Sequence, residues 1–173
     1  SRSVENMELA VADQKFTSGQ SIEVPVYLTN NVDVAGFQFT FNFDPQMFSL
    51  EAINSPLAGV TDNNFGFTKL SEGMIAVSYN QAQVIELNEG ANVLVVTLKA
   101  RMDGSLSNML TIGSDIARAE AYDGDFNVMN VSLNVVNRGL NEVVLHQNTP
   151  NPFKSTTTIG FELPQPSDVV ITV

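Results

Sequence analysis

The stretch AGFQFTFNFDPQMFSL, residues 35–50, decides the fold of this chain. Within it, four aromatic residues alternate with three polar ones, namely Phe37, Phe39, Phe41 and Phe43 with Gln38, Thr40 and Asn42. Because successive side chains of a strand point to opposite faces, the rings line one face and the polar groups line the other. The pattern predicts a half-buried strand of a β-sandwich. Asp44-Pro45 ends it, since proline cannot donate to the ladder, and we expect the Asp44 side chain to fix the turn.

Apolar alternation continues on both sides of this strand. Further strand candidates are residues 7–13, 21–29, 47–53, 63–69, 74–80, 92–102, 110–112, 116–122 and 128–136. Turn residues separate them, residues 86–90 are predicted to be a loop or a short helical turn, and no stretch has a convincing helical period. The sequence therefore predicts an all-β sandwich of about nine strands.

Composition excludes several classes of function. The chain has 173 residues, with 19 acids against 8 bases and a formal net charge of −11. A surface this acidic repels phosphate, so we expect no nucleic-acid partner. There are no cysteines, which excludes disulfides, thiolate zinc sites and cysteine nucleophiles. No apolar run is long enough to span a membrane.

The sequence offers few candidate catalytic residues. His146 is the single histidine, so acid–base or triad chemistry would depend on it, and it lies in a spacer. Glu86 and Glu89 are paired acids in a loop, and the sequence around them does not indicate the apolar pocket that tunes the pKa of a catalytic carboxylate. We therefore predict that the chain is not an enzyme.

One short motif raises the question of calcium. Asp123, Asp125 and Asn127 stand at alternate positions, as at the start of a calcium-binding loop. Val128 stands where glycine is needed, and no glutamate closes the loop. We favour a polar hairpin turn and expect no cofactor, with these three residues kept as calcium candidates.

A domain boundary is predicted after Asn137, where the last strand of the sandwich ends and a turn-rich stretch follows. We predict a first domain at residues 1–137, a linker at 138–147 and a short β appendage at 148–173. In the appendage, residues 156–163 alternate like a strand, and residues 169–173 begin another.

The strand that runs into Asp-Pro resembles the cohesin family, whose modules bind dockerins in cellulosomes and other secreted assemblies. The matching pieces are residues 19–26, 34–37, 43–45 and 47–50, and the resemblance covers about residues 7–136. It implies a nine-stranded cohesin-like sandwich, of the jelly-roll or immunoglobulin-like kind.

The same resemblance implies a binding surface. In cohesins, the outward residues of this strand and of its sheet neighbours meet the dockerin. The corresponding residues here are Gln38, Thr40, Asn42, Ser78 and Asn80. Well-known cohesins have Asn-x-Asp in this strand, where this chain has Gly36 and Gln38.

The end of the chain resembles the start of the C-terminal sorting domain of the type IX secretion system of Bacteroidetes-like bacteria. The resemblance rests on Gln147-Asn148 and on residues 150–153, 156–159 and 161–164, and covers about residues 144–173. It implies an extracellular or cell-surface protein. Such sorting domains continue for several more strands, so residues 144–173 are expected to correspond only to the first part of one.

Three functions remain open. The first is a non-catalytic module that binds a dockerin-like protein through one sheet face. The second is a filament subunit that pairs with another copy by strand addition, through Thr158, Ile159, Phe161 and Leu163. The third is a carbohydrate-binding module, for which Tyr27 and Tyr122 are the outward aromatic candidates, although the chain has no tryptophan.

Overall fold

The computed structural model describes residues 6–137, 144–145, 155–156, 158 and 161–162. Strands account for most of residues 6–137: β1 Met7–Ala12, β2 Lys15–Phe16, β3 Ser21–Leu28, β4 Val32–Phe43, β5 Phe48–Asn54, β6 Phe65–Gly66, β7 Met74–Leu87, β8 Asn92–Ala100, β9 Gly104–Ser105, β10 Leu110–Gly113, β11 Glu120–Tyr122 and β12 Val128–Val136. Two 3₁₀ turns interrupt them, at Asp62–Asn64 and Leu70–Glu72. The predicted all-β sandwich is confirmed.

The main sheet curls into two layers that share β12. Its strand order is β5-β8-β3-β1-β12-β11-β4-β7-β6, and β10 adds to β4 alongside β11. Residues 128–130 of β12 pair antiparallel with β11, whereas residues 131–136 pair parallel with β1. One strand thus passes from one layer to the other and closes the sandwich.

The aromatic face of β4 forms the centre of the core. Its four rings are buried as predicted, with exposed fractions of 2% for Phe37, 0% for Phe39 and Phe41 and 5% for Phe43. The ring of Phe37 stacks on that of Tyr79, with centroids 5.1 Å apart. Burying a side chain of this size stabilises the fold by about 1.5–3 kcal/mol.

The turn after β4 is fixed by Asp44, as predicted. Its carboxylate Oδ1 accepts a hydrogen bond from the amide of Gln46 at 2.8 Å. Its carbonyl accepts from the amides of Met47 and Phe48 at 3.1 and 2.9 Å. The chain is thereby turned out of β4 toward β5 in the other layer.

The predicted bounds of three elements differ from the structure by more than two residues. Residues 63–69 contain only the short β6, because Asn64 caps the turn before it by accepting from the Thr61 amide at 2.7 Å. β7 runs on to Leu87 through residues read as the start of a loop. β11 begins only at Glu120, because residues 114–119 leave the ladder and fold over Thr40.

The chain divides into two compact units, residues 1–136 and 137–173. In the second unit, β13 Val144–Leu145 pairs antiparallel with β14 Phe161–Glu162. Of the residues predicted for strand addition, Phe161 lies in β14 and Thr158 is exposed. Ile159, Leu163, His146 and residues 169–173 lie outside the described residues.

Candidate functional site

The outer face of β4 and β7 carries the predicted polar residues. In the antiparallel ladder Gln38 lies opposite Ser78, and Gly36 lies opposite Asn80. Ser78 and Asn80 are exposed, and Gln38 is half-buried. The three line one open groove of about 330 Å³, the β4–β7 groove, with Ala35, Gly36, Phe37, Tyr79, Gln81, Tyr122 and Phe126. The structure thus brings three of the five predicted residues together.

A large β-bulge shapes this groove. Val34 pairs with Ile85 and Gly36 with Asn80, so four residues of β7, 81–84, lie against the single residue Ala35 of β4 and the ladder is interrupted there. Gly36 permits the close approach of the two backbones there. A Cβ at this position would lie 2.7 Å from the Tyr79 carbonyl oxygen, which is closer than side chains tolerate.

Thr40 is not part of an accessible surface, and its placement on an open polar face is corrected. It is fully buried, although it points away from the phenylalanine side. Its hydroxyl accepts from the amides of Ile116 and Ala117 at 2.9 and 3.0 Å and donates to the Ala117 carbonyl at 3.1 Å. The segment between β10 and β11 therefore covers Thr40 and excludes it from contact with a partner.

Asn42 is half-buried and does not line the groove. It lies opposite Thr111 of β10 and Met74 of β7. Its Oδ1 is buried and has no hydrogen-bond partner within the described part of the chain. The expected outward residues of β4 thus have three different environments, and only Gln38 faces the groove.

The carboxylate of Glu120 forms hydrogen bonds with two side chains that line the groove. Glu120 Oε1 accepts from Gln38 Nε2 at 3.2 Å and also from the Tyr122 hydroxyl. Arg118 Nε lies 3.7 Å from Glu120 Oε2. The hydrogen bond to Glu120 is the main cause that raises the pKa of Tyr122 above its ordinary value, because it favours the protonated phenol. The sequence pattern did not indicate Glu120, because the pairing of β11 with β4 joins distant parts of the chain.

The calcium candidates form a hydrogen-bonded turn. Asp123 Oδ1 accepts from the amides of Asp125 and Asn127 at 2.8 Å each, and Oδ2 accepts from Asn127 Nδ2 at 2.8 Å. These bonds organise the connection between β11 and β12, which is the polar turn that the sequence favoured. Across the described ranges, no group of three or more His, Asp or Glu side chains is placed to hold a metal ion.

Phe126, which the sequence analysis did not single out, lies at the rim of the groove. Its ring is 77% exposed, and its backbone φ is +62°. A bulky residue with positive φ is an outlier, because this region favours glycine and asparagine. The alternation pattern gave no signal for it, since Phe126 stands in a turn.

Residues 7–136 thus form a β-sandwich with an apolar core and one grooved sheet face. The cohesin domain family matches residues 7–136, and the chain belongs to that family. No curated protein is significantly similar to the chain.

Solved cohesin structures share the fold. The sixth cohesin of scaffoldin B from Acetivibrio cellulolyticus, solved with a Cel5 dockerin, has a TM-score of 0.55 and 16% identity, covering 76% of this chain and 100% of that one. The OlpA cohesin of Clostridium thermocellum, solved with a dockerin, gives 0.54 and 15%, with the same coverage. The seventh ScaB type I cohesin of Pseudobacteroides cellulosolvens gives 0.51 and 18%, covering 79% and 96%.

No helix among the residues whose positions are described is long and apolar enough to cross a membrane.

Proposed function

We propose that this chain is a non-catalytic interaction module that binds a dockerin-like protein through the outer face of β4 and β7. The observation that carries the proposal is the β4–β7 groove, where Gln38, Ser78 and Asn80 converge on one side of a sheet whose other side is packed with phenylalanine. A rigid strand pair that presents polar side chains beside aromatic ones is suited to protein recognition.

The family supports this proposal. Solved cohesins with the same fold were crystallised with dockerins. The chain departs from the family at Gly36 and Gln38, so we propose a dockerin-like partner of different specificity rather than a type I dockerin. Thr40 and Asn42 are not included in the proposed contact surface, because Thr40 is buried under residues 116–117 and Asn42 does not line the groove.

We also propose an extracellular or cell-surface location. The support is the resemblance of residues 144–173 to a type IX sorting domain, together with the secreted character of cohesin assemblies. The location can be tested by fractionating the bacterium that makes this protein and probing each fraction with an antibody raised against residues 7–136; the protein should be found at the cell surface or in the medium, and detection in the cytoplasm alone would contradict the proposal.

Binding is tested by calorimetric titration of the whole chain with a panel of dockerin and dockerin-like modules. At least one module should bind with a dissociation constant of about a micromolar or below. Replacing Ser78 and Asn80 together by arginine should weaken that binding by about a hundredfold or more, because two long charged side chains would fill the groove.

Ser132 and Asn134 provide a matched control. They are exposed at the same two-residue spacing on β12, where it pairs with β1 in the other layer. Ser132→Arg with Asn134→Arg should leave the affinity unchanged. Equal loss in the two double variants, or no binding by any module, would contradict the proposal.

The other two functions stay predictions. For strand addition, the outer edge of β7 is partly closed, since Asn64 Nδ2 donates to the Ser78 carbonyl at 2.8 Å and Gln81 Nε2 donates to the Ala58 carbonyl at 3.0 Å. For carbohydrate binding, Tyr122 and Phe126 line the groove, and Tyr27 is half-buried on β3.

A further inference from the structure

The rim of the β4–β7 groove is apolar where the bulge of β7 meets the turn between β11 and β12. Phe126 is 77% exposed, Val128 56% and Val84 46%. The bulge and the turn are in contact, because a Cβ on Gly124 would lie 2.8 Å from Val84 Cγ2. An aromatic ring and two aliphatic side chains are thus presented to solvent beside the groove.

The turn holds Phe126 in a fixed position. The Phe126 amide donates to the Asp123 carbonyl at 3.0 Å, and the next amide donates to the Asp123 carboxylate at 2.8 Å. The positive φ is unfavourable for a phenylalanine, and the exposed ring adds little to the core. The fold therefore does not account for a phenylalanine at this position, whereas burial of its ring against a partner would.

The surroundings of the groove are acidic. Residues 32–43, 74–87 and 110–127 hold six acids and one base, namely Asp33, Glu86, Asp115, Glu120, Asp123 and Asp125 with Arg118. Asp33 and Glu86 are exposed and lie directly opposite each other in the β4–β7 ladder. Like charges in that arrangement repel each other, and a cation placed between them removes the repulsion.

From these three observations we infer that the groove binds a partner segment in which an aliphatic side chain is flanked by lysine or arginine. The aliphatic group packs against Phe126 and the groove floor, and the cations face the acidic surroundings. The groove, at about 330 Å³, has room for one or two side chains. This inference rests on the proposed function and names the chemistry of its partner.

The test is a nuclear magnetic resonance titration of the isotope-labelled whole chain with a short peptide of alternating leucine and lysine. We expect saturable shifts of the amides of Gly36, Asn80 and Gln81, with a dissociation constant of about a millimolar. Phe126→Ser should weaken this binding about fivefold or more. Raising the salt to about 0.5 M should weaken it as well, because exposed charges are then screened.

Three controls make the result decisive. The same peptide with glutamate for lysine, or with serine for leucine, should give no saturable shift. Phe67→Ser changes another exposed phenylalanine, which does not line the groove, and should leave binding unchanged. A soluble cello-oligosaccharide should not shift the same amides, and saturable binding of that sugar in place of the peptide would overturn the inference.

Two results separate this inference from the proposed function. If a dockerin-like module binds but its affinity is insensitive to Phe126→Ser and to salt, the inference fails and the proposed function stands. If no module binds but the lysine peptide does, the proposed function fails while the groove chemistry holds. Absence of any saturable shift with the lysine peptide overturns the inference directly.

Discussion

At the scale of single residues, the hydroxyl of Thr40 links β4 to the segment that covers it. It satisfies two amides and one carbonyl of residues 116–117, which would otherwise lose these partners in a partly buried place. Burial of a polar side chain is tolerated here because its hydrogen-bonding capacity is filled.

Thr40→Val should therefore lower the free energy of unfolding by about 1–3 kcal/mol, because it leaves partly buried polar groups unpaired while keeping the side-chain shape. Thr40→Ser keeps the hydroxyl and should lower it by about 1 kcal/mol, since only a buried methyl is lost. Chemical denaturation measures both. Equal stability of Thr40→Val and wild type would show that the hydroxyl bonds contribute nothing.

The residues of β4 also show what the sequence could and could not predict. Alternation correctly predicted the four buried rings, because burial on one side of a strand follows directly from period two. It could not distinguish Gln38, Thr40 and Asn42, since their environments depend on which distant segment covers each one. Phe126 was missed for a related reason. Its exposure at the groove rim results from the conformation of the turn between β11 and β12, which hydrophobic alternation does not predict.

At the scale of elements, the bulge between β4 and β7 creates the groove. The sequence indicated both strands, but it gave no sign of the extra residues 81–84, because register depends on the pairing of segments far apart in the chain. Gly36 is the residue on which this local geometry depends, since the facing carbonyl leaves no room for a side chain.

Gly36→Ala should lower the free energy of unfolding by about 1–3 kcal/mol, because the added methyl forces the two backbones apart. It should also weaken partner binding, as the groove floor would move. Gly113→Ala is a suitable control, since its Cβ would meet only the ends of the Asn42 and Asp115 side chains. Comparable loss of stability in both variants would argue against a special role for the bulge.

At the scale of the whole molecule, one strand serves both the core and the candidate site. β4 pairs with β7, β10 and β11, and its inward side carries the phenylalanines that pack the sandwich. The groove is therefore built on the most constrained part of the domain, as a site that must present fixed side chains requires. The fold class follows from local patterns and the five contact residues were predicted from the family resemblance, whereas the groove that three of them line follows from long-range pairing.

The central claim is that the outer face of β4 and β7 is the binding face. Hydrogen exchange of the whole chain, measured by mass spectrometry with and without a bound dockerin-like module, tests it most directly. The account predicts slower exchange on binding in peptides that contain Gly36, Asn80 and Tyr122, and unchanged exchange around Ser132 and Asn134 on β12. Protection confined to the layer of β1, β3, β5 and β8, with none around the groove, would contradict it.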